Sequence, residues 1–169
     1  MLLISLLLLP QPAFSCSCAP IDSVAEELEA ADAVFSAQVT KLEVLPSWWA
    51  ESDAKVDSEL LEETPDEKPI RVLKATFAVM KAWKGITEPV VVIRTFADCC
   101  FCGTTFAIGQ RYLVYAFRGQ PDQELWTSVC SRTETLDKAV QDLEELGAPT
   151  LDCEKHRVDK KSGRGGSAS

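Results

Sequence analysis

The sequence predicts an all-β core with flanking helices, and three observations carry that expectation. Through the middle of the chain, apolar residues alternate with polar ones or run in short β-branched blocks. Turn residues separate those blocks. Apolar spacing of helical period is confined to one segment near each end.

The elements follow in order. After Pro20 a short helix is expected, because Ser23 with Glu26 three residues on matches a capping box and Val24, Leu28 and Ala31 share a face. Residues 33–44 read as a strand, with Phe35, Ala37 and Val39 alternating. The phase then slips to Leu42 and Val44, which predicts a bulge near Thr40 or Lys41. Leu73, Ala75, Phe77 and Val79 alternate with Lys74, Thr76 and Ala78 in a second strand that ends at Trp83-Lys84-Gly85. Residues 90–96 and 112–117 are the third and fourth strands, and a Gly119-Gln120-Pro121-Asp122 turn leads to a fifth over 124–129. A second helix places Leu136, Val140, Leu143 and Leu146 on one face; Thr133 or Thr135 can cap its start, and Gly147 with Pro149 ends it. Five strands between two helices suit a small closed barrel, the five-stranded OB fold.

Around this core lie three segments of different composition. Residues 1–15 read as a signal peptide: an apolar run from Leu2 to Leu9, too short to span a bilayer, then Pro10, Pro12 and the small-residue exit Ala13-Phe14-Ser15 before Cys16. Lipid attachment at Cys16 is the lesser alternative, since Ala13 stands where a lipoprotein signal carries Leu. Residues 46–69 hold eight acidic residues against Lys55 and Lys68, with three prolines, and read as an inserted acidic loop. Residues 154–169 form a basic tail ending in small residues and are expected to be disordered. The domain proper is therefore 16–153.

Charge and residue inventory narrow the function. A net charge of −9 argues against a nucleic-acid partner, whose phosphates require Lys and Arg. The single histidine, His156, falls in the tail, so no base serves a Ser-His-Asp or Cys-His apparatus and no histidine cluster holds a catalytic zinc. No glycine loop cradles phosphate. The sequence predicts a binding protein rather than an enzyme, with no cofactor, no intrinsic metal and no transmembrane segment.

Seven cysteines behind a leader point to an oxidising compartment, extracellular or periplasmic. They allow a thiol-redox C-x-x-C at Cys99-Cys100-Phe101-Cys102, a zinc site from Cys16 and Cys18 with Cys99 and Cys102, or disulfides, the usual fate in a secreted chain. The informative group is Cys16-Ser17-Cys18-Ala19-Pro20 at a freshly cut terminus. Two cysteines flanking one residue, each tied to a distant strand, hold the α-amine at the surface. With a pKa of about 7.7–8 that amine is partly neutral at physiological pH and can ligate a metal together with its own carbonyl oxygen.

Cys-Ser-Cys-Ala-Pro resembles the mature start of the tissue inhibitors of metalloproteinases, which begin Cys-x-Cys-x-Pro. The resemblance continues through Val34-Phe35-Ser36-Ala37-Gln38-Val39, Lys81-Ala82-Trp83-Lys84-Gly85, Cys102-Gly103 and Thr127-Ser128-Val129-Cys130, covering roughly 16–147. It implies a netrin-like OB barrel with disulfides Cys16–Cys102 and Cys18–Cys130. It further implies that the Cys16 amine and carbonyl chelate the zinc of a metalloproteinase. Ser17, Cys18, Ala19, Pro20, Cys99, Cys100 and Phe101 would then form the contacting wedge, Ser17 entering the specificity pocket. The family's third disulfide has no matching early cysteine here, so Cys153 is expected to pair with Cys99 or Cys100. The alternative function is a non-inhibitory netrin-like module that binds another extracellular protein, with Cys-x-Cys as a staple only.

Overall fold

The computed structural model describes residues 16–19, 23–45, 71–98, 101–119 and 123–153; the leader, the acidic insert and the basic tail lie outside them. The protein is mainly β-sheet with two short helices. In chain order the elements are α1 (Val24–Ala30), β1 (Ala33–Leu45), β2 (Val72–Lys84), β3 (Val90–Phe96), β4 (Arg111–Arg118), β5 (Leu125–Trp126), β6 (Glu134–Thr135), α2 (Val140–Leu146) and β7 (Leu151–Asp152).

The capping box is formed: Glu26 N donates to Ser23 Oγ, and Ser23 N donates to Glu26 Oε2. Strand pairing returns on itself. β1 pairs with β2 and β2 with β3, both antiparallel, and β3 meets β5 in parallel at Arg94 and Trp126. β5 pairs antiparallel with β4, and β4 antiparallel with β1, so five strands form a ring. The β1–β2 register shifts between Val39 and Lys41, where the phase slip predicts it, and also at Val34/Phe35 and Ser36/Ala37. These extra shifts add bend to a strand that must pair with β2 and β4 at once.

Alternate residues of β1 and β4 serve two apolar layers. Phe35, Phe77, Phe106 and Tyr112 meet edge to face inside the ring, with centroids of 5.1 Å for Phe77–Phe106 and 4.9 Å for Phe106–Tyr112. Val34, Leu113 and Tyr115 face the other way, onto Ala31, Leu136 and Ala139 and the helix residues Leu28, Leu143 and Leu146. Burial on both faces is why 112–117 reads as an unbroken apolar run.

Three expectations change. The fifth strand stops at Trp126 instead of reaching 129, because the chain leaves the sheet at Thr127. In α2, Val140 is exposed and Asp142 is buried, the reverse of the apolar-face reading. Asp142 turns inward because Arg132 and Tyr115 bind its carboxylate. Neither Thr133 nor Thr135 caps that helix through its side chain; its N-cap is Ala139.

Candidate functional site

Cys16 and Cys18 are bonded to Cys102 and Cys130, with Cα–Cα distances of 5.5 and 5.2 Å. This is the pairing that the resemblance implies. The fold explains why one short segment reaches both anchors. β3 and β5 run parallel, so the chain leaves both at the same end of the ring, and the anchor cysteines follow on neighbouring loops. The loops are joined directly: Val129 N donates to Cys102 O at 2.9 Å.

The Cys102 loop folds tightly onto β3. Cys102 adopts φ +55°, in the left-handed region. Next to it, a Cβ on Gly103 would stand 1.7 Å from the carbonyl oxygen of Phe96, so only glycine allows the approach. Thr104 N then donates to Thr95 Oγ1 at 2.8 Å. The Cys130 loop is closed by Cys130 N donating to Ser128 Oγ and by Ser131 N donating to Ser128 O.

Around these anchors both small and large side chains are exposed. Ser17 and Ala19 are exposed. Phe101 is 41% exposed and Val129 46%, both large apolar side chains beside the disulfides. Phe101 rests on Phe96 at 5.5 Å, and Phe96 on Trp126 at 5.4 Å. The exposed ring thus stands on a stack rooted in β3 and β5 rather than on a free loop.

Of the wedge residues expected from sequence, Cys16, Ser17, Cys18, Ala19 and Phe101 come together here. Pro20, Cys99 and Cys100 lie outside the described residues. Cys153 is a correction: it carries a free thiol instead of a bond to Cys99 or Cys100. β7 pairs Asp152 with Lys81, whereas Asp98 accepts from the backbone N of Arg71 at the other end of β2.

Behind the Cys130 loop lies a polar group that sequence reasoning missed. Arg132 donates from Nε and Nη2 to the two Asp142 oxygens at 2.8 and 2.6 Å, and Tyr115 Oη donates to Asp142 Oδ2 at 3.1 Å. Burial first, and the Asp142 charge second, push the Tyr115 phenol well above its usual range. The hydrogen bond to Asp142 pushes the Arg132 guanidinium up as well. The loop hydroxyls of buried Thr127 and Ser131 and half-buried Thr133 form a second set. Neither group leaves a periodic trace in the sequence.

Among the described residues, no cluster of three His, Cys, Asp or Glu could hold a metal ion, and no helix is long and apolar enough to cross a membrane. What the arrangement offers is a short, covalently fixed segment whose anchor loops each expose one large apolar side chain, Phe101 and Val129. No protein-family model matches the chain, and no curated protein matches it.

Proposed function

We propose that the mature protein begins at Cys16 and inhibits a zinc metalloproteinase, with the Cys16 α-amine and carbonyl oxygen occupying the open position on that enzyme's zinc. The observation that carries this reading is the double staple: the residues on both sides of Ser17 are bonded to adjoining loops, with Ser17 itself exposed. A catalytic zinc keeps three protein ligands and one open site. A neutral amine with its own carbonyl closes a five-membered chelate there, and holding both atoms beforehand removes the ordering cost of binding. Phe101 on its aromatic stack supplies apolar contact at the flank.

The fold supports the same reading. A five-strand ring in the order 1-2-3-5-4-1, with a parallel contact between the third and fifth strands, suits an OB barrel of netrin-like type. Two disulfides fit an extracellular setting.

The test is inhibition of a panel of zinc proteases by protein beginning at Cys16, beside a form with one extra Ala before it. The Cys16 form should inhibit at least one enzyme. The extended form should melt at the same temperature and inhibit at least about 100-fold less, because its first nitrogen is an amide that cannot ligate. Equal potency of the two forms rejects chelation and favours the plain binding module.

A further inference from the structure

β5 ends at Trp126 and β6 begins at Glu134, yet both lie along β4: β5 at Phe117 and Arg118, β6 at Tyr112 and Leu113. Between these pairings the edge of β4 at Tyr115, a fully buried residue, meets no strand. Hydroxyl groups fill the gap. Tyr115 N donates to Thr133 Oγ1 at 3.0 Å, Thr133 Oγ1 lies 2.8 Å from Thr127 Oγ1, and Tyr115 O accepts from Thr127 Oγ1 at 2.9 Å and from Thr133 Oγ1 at 3.1 Å. This circuit replaces the two ladder bonds a continuous strand would make. Ser131 Oγ, 3.0 Å from Thr127 Oγ1, donates to Ser128 O and accepts from Thr133 N. Thr127 is 5% exposed and Ser131 6%, so water does not compete for these bonds.

The consequence is geometric. A backbone ladder would hold this stretch at strand spacing, about 4.8 Å from β4. Side-chain bridges hold it farther out, and the turn carrying Cys130 lies between them. We propose that Thr127 is a positioning residue of the stapled site. Its hydroxyl fixes the stand-off of the 128–130 turn and, through Cys18–Cys130, the place of the N-terminal segment. The effect on affinity rests on the inhibitory reading; the effect on the loop does not.

The experiment is timed partial reduction of the protein beginning at Cys16 with dithiothreitol, followed by thiol labelling and mass mapping, which gives a separate rate for each bond. Thr127→Val removes the hydroxyl at nearly constant shape. It should open Cys18–Cys130 about tenfold faster while changing Cys16–Cys102 by less than about twofold. Inhibition should weaken about tenfold, and Thr127→Ser should restore both readouts. A core variant, Val79→Ala, serves as control and should show no such selectivity at an equal loss of melting temperature. Equal acceleration of both bonds by Thr127→Val, or no acceleration, overturns the proposal. If that variant does not fold, Ser131→Ala carries the same test. A wild type that inhibits nothing removes the chelation reading alone, and the reduction rates then decide the role of Thr127.

Discussion

The strand ring and the stapled segment are held by opposite means. In the ring, Phe35, Phe77, Ile93, Leu113 and Val114 are wholly buried, and every adjacent pair of strands is hydrogen-bonded. At the rim, Ser17 and Ala19 are exposed and Cys16 and Cys18 only half-buried, so burial does little to place them. Their position comes from two covalent links, with a hydroxyl circuit and a partly buried ion pair behind one anchor loop. Apolar burial is non-directional: it makes a region compact without fixing a particular atom. Disulfides and hydrogen bonds are directional, and this chain concentrates them where atoms have to be placed.

That contrast can be broken or sharpened by substitution. The largest effect is expected from Cys18→Ser with Cys130→Ser: the bond spans a sequence separation of 112, so about 5 kcal/mol of stability should be lost in urea unfolding. Phe77→Ala should cost about 4 kcal/mol through cavity formation, yet leave the rim bonds formed and, if any inhibition exists, leave it nearly intact. A core variant that abolishes inhibition without unfolding the chain would collapse the distinction between the two regions. Asp142→Ala should cost about 2–3 kcal/mol, since it strands the Arg132 charge and the Tyr115 hydroxyl, and urea midpoints will show it. Ser23→Ala should cost only about 1 kcal/mol through loss of the α1 cap.

The smallest effect is a slope. Because burial and Asp142 raise the Tyr115 phenol, the unfolded chain releases that proton near pH 10 while the folded chain keeps it, so stability present below about pH 10 declines as pH rises. Melting temperatures taken between about pH 9 and 11 should fall less steeply in Tyr115→Phe than in wild type. Identical slopes would mean that the phenol does not report on the link between β4 and α2.

Local signals in the sequence were reliable where one physical cause acted alone. The Ser23–Glu26 cap and the β1 phase slip at Thr40 both have the expected form in the structure. Tertiary competition defeated the rest. The segment 124–129 has strand character, but the bonds made by Thr127 divert it after two residues. Apolar spacing put Val140 inside α2, and the pull of Arg132 on Asp142 turned the helix. Two-residue strands such as β6 and β7 have no period to detect. For the site, Cys16–Cys102 and Cys18–Cys130 were implied by the motif order, whereas Val129 and the loop hydroxyls beneath it were not.

The two bridges also interleave along the chain, from 16 to 102 and from 18 to 130. A backbone cut anywhere between Cys18 and Cys102 would therefore release nothing. The shorter fragment stays tethered twice, and the nicked protein runs as a single band on a non-reducing gel, separating only when thiols are added. A molecule proposed to work among proteases would in this way survive an internal scission as one covalent body, with its leading residues still anchored.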